Sequence, residues 1–269
     1  METVKQIPYG VADFESVIDR GLYYVDKTMY LAELEKQPDT LIFIRPRRFG
    51  KSLFISMMRA YYDKSKADCF DALFGSLWIG SHPTPLRNHY QVLYLDFSRI
   101  LGNIDVLEEK FNSYCCDQLN DFIDTYRDDY PKERVEEFLR SDDHGQKLNL
   151  LLNMSRKYGQ ALYLIIDEYD SFTNIVFSEQ VEETYFKTSL IGRFYSHVFK
   201  LFKGMFERIF LTGVSPVTLD DLTSGFNIGW NVSMAPELDK MLGFSTEDVR
   251  QMFTYYKEAG QLPAESDIE

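Results

Sequence analysis

Residues 41–53 have the sequence Leu-Ile-Phe-Ile-Arg-Pro-Arg-Arg-Phe-Gly-Lys-Ser-Leu. The first four form an apolar run typical of a short buried strand, and apolar residues recur at helical spacing from Ser52 onward. A strand, a tight loop, Gly-Lys-Ser and a helix are the context in which phosphate-binding loops occur. In such loops the backbone N–H groups at the helix start face an anion, a lysine such as Lys51 reaches the β- and γ-phosphates, and a hydroxyl such as that of Ser52 binds Mg²⁺. The stretch favours a nucleotide-binding α/β protein, provided that the rest of the chain agrees.

The loop departs from the usual pattern at its start. The pattern G-x-x-x-x-G-K-[ST] begins with glycine, whereas Arg45 stands there, and Pro46 lacks a backbone N–H donor. A basic turn between a strand and a helix on a solvated surface is therefore an alternative interpretation. Arg47 and Arg48 leave a similar choice, because a guanidinium suits phosphate but can equally pair with one of the 42 acids.

The composition describes a chain that can bury a full core and carries excess negative charge. Of 269 residues, 45% are hydrophobic, which fits one large α/β domain, or one domain and a fragment. A net charge of -13 argues against non-specific binding to nucleic acid or to an anionic membrane. The three cysteines form no disulfide framework, and the four histidines have no metal-ligand spacing. Because no signal peptide and no apolar run of ~20 residues is present, the cytoplasm is the expected location.

A second apolar strand ends in two acids. Residues 161–166 are continuously apolar, and Asp167 and Glu168 follow directly. In a nucleotide-binding α/β protein Asp167 would hold Mg²⁺ through water, and Glu168 would polarise the attacking water. Any buried strand can also end in solvated acids. The Gly-Lys-Ser loop followed by this strand in the right order favours a nucleotide site more than either piece does alone.

Further strands complete the predicted sheet. Residues 92–97 form one, and residues 208–214 form another that closes with Thr212 and is followed by Ser215. Either hydroxyl is a candidate polar sensor beside the γ-phosphate, although a simple turn before Pro216 explains the same residues. Strands spaced by helices predict a parallel sheet covered on both faces.

The flanking segments predict further helices. The arm 1–39 contains a helix that Thr28 can cap, and it packs either near the nucleotide base or merely at an edge. Residues 69–85 look irregular. Ser245 and Asp248 have capping-box spacing, which predicts a helix through Tyr256.

Three motifs together resemble a known family. They are Tyr-Val-Asp-Lys-Thr at 24–28, Arg-Pro-Arg-Arg-Phe-Gly-Lys-Ser at 45–52, and Asp-Glu-Tyr-Asp at 167–170. They are similar to the AAA-ATPase-like family of bacteria, in which arginine at the first glycine position is normal and a PD-(D/E)XK nuclease-like domain usually follows. The resemblance covers about residues 7–249. It implies a P-loop NTPase three-layer α/β sandwich of the additional-strand type, with a mainly parallel sheet of about five strands and the sensor strand between the loop strand and the acidic strand.

The same resemblance sets the expected domains. Residues 1–242 would be the P-loop ATPase-like core, and residues 243–269 would start a truncated helical lid. The family's nuclease-like region would be missing from this chain. Residues 108–110 read Glu-Glu-Lys, which fits a (D/E)xK pattern, but they lie on a predicted amphipathic helix, so we assign them no nuclease role.

The expected function is an ATP-binding and ATP-hydrolysing switch that uses Mg²⁺. The alternative is a non-hydrolytic nucleotide- or phosphate-binding module that regulates a partner or a downstream nuclease-like domain. Expected catalytic residues are Glu168 and Lys51, and expected metal ligands are Ser52 and Asp167. The expected cofactor-binding residues are Arg47, Arg48, Phe49, Gly50, Lys51, Ser52, Leu53 and Thr212. We expect no membrane contact and no direct nucleic-acid binding, and homo-oligomerisation stays open.

Overall fold

The computed structural model describes residues 4–172, 189–196, 204–214 and 229–263. The strands in these ranges are β1 (Thr40–Ile44), β2 (Gln91–Asp96), β3 (Leu162–Asp167), β4 (Arg208–Gly213) and β5 (Trp230–Asn231). The helices are α1 (Phe14–Asp19), α2 (Met29–Glu35), α3 (Lys51–Tyr62), α4 (Phe70–Phe74), α5 (Trp78–Ser81), α6 (Ile104–Thr125), α7 (Lys132–Leu139), α8 (His144–Lys157), α9 (Leu190–Ser196) and α10 (Thr246–Glu258).

The five strands form one parallel sheet in the order β2-β3-β4-β1-β5. The sensor strand β4 therefore lies between the loop strand β1 and the acidic strand β3, as expected. Ile44 is in register with Gly213, and Asp96 is in register with Asp167. Because the strands are parallel, their carboxyl ends meet at one edge of the sheet, where the chain can assemble a site.

Alternate residues of β1 to β4 belong to two separate cores. On β3, Leu164 and Ile166 belong to the core that also contains buried residues of α6 and α8. Tyr163 and Ile165 belong to the core on the opposite face, with buried residues of α3 and α4. All six residues of β3 are buried, as is typical of a parallel strand covered on both faces. The architecture is a three-layer α/β sandwich, which confirms the predicted fold class.

The segment before β2 is more regular than its sequence indicates. Residues 69–85 look irregular, but a 3-10 helix (Lys64–Cys69) leads into this range, and α4 and α5 form within it. Phe74 stacks on Phe70 and meets Tyr61 of α3 edge to face, with ring centroids 5.4 and 5.5 Å apart. Burial of these rings against α3 stabilises short helices in a segment whose glycines and prolines disfavour helix.

The predicted side-chain cap of α2 is absent among the contacts of the described residues. Thr28 precedes α2, but its hydroxyl donates to Asp26 Oδ1 (2.6 Å) and accepts from Ile79 N (3.1 Å). Asp26 Oδ2 also accepts from Trp78 N (2.7 Å). Both residues thus anchor α5 instead of capping α2. No described helix combines the length and apolar character that crossing a membrane requires.

Candidate functional site

The loop 45–50 turns sharply between β1 and α3. Gly50 is the N-cap of α3 and has φ 86°, a left-handed conformation that glycine adopts without steric cost. Arg48 also has a positive φ of 68°, which is uncommon for a residue with a side chain. Helix α3 begins at Lys51, so its first N–H groups, which lack partners within the helix, lie beside the loop. This arrangement is suited to an anion.

Lys51 points into the concave side of the loop. Its side chain is buried, and Nζ donates to the carbonyl oxygens of Arg45 (3.1 Å) and Pro46 (3.3 Å). Nζ also lies 3.3 Å from Glu168 Oε1 at the end of β3. The loop and the acidic strand, 115 or more residues apart in the chain, are therefore joined through one ammonium group.

Ser52 and Asp167 make a second link between the loop and β3. Ser52 Oγ donates to Asp167 Oδ2 (3.0 Å), and the Glu168 N–H donates to Asp167 Oδ1 (2.9 Å). Burial raises the pKa of Asp167 to about 6, because the hydrogen bond from Ser52 offsets desolvation only in part and the charges of Asp96 and Glu168 add to it. Desolvation and the neighbouring carboxylates thus both disfavour the ionised form of Asp167, and a cation bound beside it would favour that form.

Asp96 was not among the predicted site residues. It ends β2 in register with Asp167, and it accepts hydrogen bonds from Ser98 N (3.1 Å) and Arg99 Nε (3.2 Å). An acid at the carboxyl end of a predicted strand was the signal available in the sequence. It became informative only when the strand order placed β2 beside β3.

The turn after β3 packs tightly against the end of β4. Glu168 has φ 50°, and Tyr169 N donates to Thr212 O (3.0 Å). Asp170 Oδ2 accepts from Val214 N (3.0 Å). A Cβ atom on Gly213 would lie 2.5 Å from Asp170 Oδ1, so only glycine allows this close approach. The end of β4 therefore helps to hold Glu168 in its left-handed conformation.

The predicted sensor Thr212 lies at the same edge. It is 1% exposed, and its Oγ1 is a buried side-chain atom without a hydrogen-bond partner among the described residues. Buried hydroxyl groups normally have a partner, so an unpaired one is a candidate for a ligand contact. The other predicted sensor, Ser215, lies outside the described residues.

Arg45 connects the start of the loop to the segment that follows β5. Its Nη1 donates to Ser233 O (2.6 Å) and Ile44 O (3.0 Å), and its guanidinium lies 4.4 Å from the centre of the Phe43 ring. The Ile44 N–H donates to Ser233 Oγ (2.8 Å). Where the usual pattern has glycine, arginine thus ties the start of the loop to the segment after β5.

Comparison with known proteins agrees with a phosphate-binding loop in this chain. A family model described as "Predicted AAA-ATPase" matches residues 8–223. The chain belongs to the AAA-ATPase-like family. Membership indicates nucleotide binding. An uncharacterized protein in the vnfD 5' region of Azotobacter chroococcum mcd 1 is 25% identical over 255 residues, which are 93% of this chain and 45% of that relative. The chain therefore spans less than half the length of this relative.

The side chains of this AAA-ATPase-like site provide the type of oxygen ligand that Mg²⁺ prefers. Ser52 supplies a hydroxyl and Asp167 a carboxylate, 3.0 Å apart. Within the described ranges, no group of three or more His, Cys, Asp or Glu side chains is arranged to hold a metal ion by itself. Mg²⁺ usually keeps several waters and takes one or two protein oxygens together with phosphate oxygens. The two side chains fit an ion that arrives with a phosphate ligand.

The remaining predicted contacts of this AAA-ATPase-like site differ in exposure, and Leu53 of α3 packs partly against the core. Arg47, Arg48 and Phe49 are exposed, and Leu53 is half-buried. Neither guanidinium forms an ion pair with an acid in the described part of the chain. The structure thus leaves both arginines accessible to a ligand, and their role stays a prediction.

Proposed function

We propose that the chain binds ATP together with Mg²⁺ and hydrolyses it as a conformational switch. The observation that carries this proposal is the convergence of Lys51, Ser52, Asp167 and Glu168 at the carboxyl ends of β1 and β3. These are the groups that phosphoryl transfer to water requires: a cation for the phosphates, oxygen ligands for Mg²⁺, and a carboxylate beside the attacking water.

Each side chain has a distinct proposed role. The N–H groups at the start of α3 and the Lys51 ammonium bind the phosphates. Ser52 would bind Mg²⁺ and Asp167 would hold it through water, and the ion would neutralise charge on the phosphates. Glu168 orients and polarises the attacking water, and the unpaired Thr212 hydroxyl donates to the γ-phosphate. Arg47, Arg48, Phe49, Gly50 and Leu53 line the nucleotide.

One observation favours the alternative of a non-hydrolytic binding module. Glu168 is engaged with Lys51 across 3.3 Å, so in this conformation it is not free to act on water. Hydrolysis therefore requires that the bound phosphates draw Lys51 away from Glu168. If they do not, nucleotide occupancy alone would regulate a partner.

The decisive variant is Glu168→Gln. We expect it to retain ATP binding and to lose phosphate release, because water activation matters mainly in the transition state. The matched control is Glu133→Gln, which removes the same charge at an exposed position of α7. ATP affinity is measured by calorimetry and turnover by phosphate release. Binding without turnover in the unaltered chain would support the alternative. Absence of ATP binding would refute the ATP switch and leave only a module that binds phosphate.

The proposed nucleotide site also suggests a division of the chain into two parts. Residues 1–242 form the nucleotide-binding core, and residues 243–269, which contain α10, begin a helical lid. The relative from Azotobacter is about twice as long as the region it shares with this chain. We propose that a nuclease-like domain is the kind of partner that this switch controls, and that the protein acts in the cytoplasm.

A further inference from the structure

In the peptide group between Phe49 and Gly50, the carbonyl oxygen accepts a hydrogen bond from a residue far along the chain. Gly243 N donates to Phe49 O (3.0 Å). A trans peptide group is planar, with C=O and N–H pointing in opposite directions, and the described residues contain no cis peptide bond. Whatever holds the Phe49 carbonyl therefore also sets the direction of the Gly50 N–H at the start of α3.

Gly243 approaches the loop closely. It has φ 77°, and a Cβ atom added there would lie 3.3 Å from the Phe49 ring. Two residues later, Ser245 caps α10: Ser245 Oγ accepts from Asp248 N (3.2 Å), and Asp248 Oδ2 accepts from Ser245 N (2.6 Å). The capping box makes residues 245–248 one compact unit that is joined to Gly243 by a single residue.

Lys27 fixes this unit to the N-terminal arm. Its Nζ lies 2.6 Å from Asp248 Oδ2, and the two side chains are only 12% and 16% exposed. Solvent screens such a pair less than it screens a surface pair. Burial alone would raise the pKa of Asp248, but the hydrogen bonds from Lys27 and Ser245 outweigh it and lower that pKa. The ring of Tyr23 adds a contact with Tyr255, 5.1 Å between centroids.

We infer that Lys27 is a positioning residue for phosphate binding. Through Asp248 it holds the start of α10, which keeps the Gly243 N–H on the Phe49 carbonyl and thereby aims the Gly50 N–H at the anion. This inference rests on the proposed function, since it requires that the loop 45–52 bind phosphate. It assigns Lys27 an effect on affinity although the residue lies in the arm and acts through α10.

The test compares Lys27→Met with Lys66→Met. Methionine keeps the length of the side chain and removes its charge. Lys66 is the control for the loss of an ion pair between two elements, because its Nζ pairs with Glu15 of α1 at 2.8 Å in a more exposed position (36% and 34%). Calorimetry measures the binding of ATP and of inorganic tripolyphosphate, both with Mg²⁺. We expect Lys27→Met to weaken both by a similar factor, about three- to tenfold, the effect of one misdirected hydrogen bond. Lys66→Met should match the unaltered chain.

Tripolyphosphate separates the loop from any contact with the nucleoside. If Lys27→Met weakens ATP but leaves tripolyphosphate unchanged, α10 acts on the nucleoside and the inference is wrong. Unchanged affinity for both ligands also overturns it, whereas the proposed function would stand. If the unaltered chain binds neither ligand, the proposed function itself fails, and the inference fails with it.

Amide hydrogen exchange at residues 49–52 separates the inferred role from a role in the stability of α10 alone. Loss of the pair should speed exchange at residues 49–52 as well as at residues 245–249, whereas a role confined to α10 would affect the second range alone. Asp248→Asn is the second variant, since its amide oxygen can still accept from Ser245 while the charge is gone. Asp248→Asn should reproduce the loss of affinity. Lys27→Arg, which keeps the positive charge, should bind both ligands as the unaltered chain does. Failure of either expectation would overturn the inference.

Discussion

Thr212→Val should make the nucleotide-free protein more stable. Thr212 is 1% exposed and its hydroxyl has no hydrogen-bond partner in the described part of the chain. Leaving such a group unpaired in the interior costs about 1–3 kcal/mol. Valine has nearly the same shape and replaces the hydroxyl with a methyl group. We therefore expect the free energy of unfolding to rise by about 1 kcal/mol, which for a chain of this size corresponds to a rise in Tm of about 2–4 °C.

The same substitution should weaken the response to ATP. If the Thr212 hydroxyl donates to the γ-phosphate, its loss removes a hydrogen bond to a charged group, worth about 1.5–3 kcal/mol. ATP affinity should then fall by about tenfold or more, while ADP, which has no γ-phosphate, should bind as before. Thermal unfolding is followed without ligand, with ADP and with ATP, each in the presence of Mg²⁺.

Two outcomes would refute this reasoning at different steps. A lower Tm of the ligand-free variant would show that the hydroxyl has a stabilising partner. A higher Tm with an unchanged ATP response would show that the hydroxyl is unpaired but is not a sensor. Thr40→Val is the control, because Thr40 starts β1 and is only half-buried. It should change neither the ligand-free Tm nor the difference between ATP and ADP.

Two further substitutions test the loop and the turn after β3. Lys51→Ala should weaken ATP binding by about 1.5 kcal/mol, the lower end of the range for a charged hydrogen bond, because Lys51 must give up its contact with Glu168 to reach phosphate; equal affinity in calorimetry would contradict the phosphate-loop assignment. Gly213→Ala should destabilise the fold by about 1–3 kcal/mol, because the new Cβ would lie 2.5 Å from Asp170 Oδ1; an unchanged midpoint of denaturant unfolding would show that the turn yields without cost.

Local sequence patterns were sufficient for most of the secondary structure. The apolar run and the Gly-Lys-Ser sequence predicted β1 and α3, and the continuous apolar run before Asp167 predicted β3. Ser245 and Asp248 form the capping box that their spacing indicated. These features depend on residues a few positions apart, so the sequence contains the information that decides them. Asp143 likewise accepts from Gln146 N, three residues later, and α8 begins at His144.

The site itself depends on which distant segments the sheet brings together. The pairing of Lys51 with Glu168 and the register of Asp96 with Asp167 follow from the strand order. Arg45 looked like a defect in the loop, and only the fold showed that it binds Ser233 O, 188 residues later. The partner of a long side chain is chosen by the topology of the whole chain, which no local spacing encodes. The sequence alone thus indicated which residues are candidates for the chemistry, and the tertiary structure decided what each of them touches.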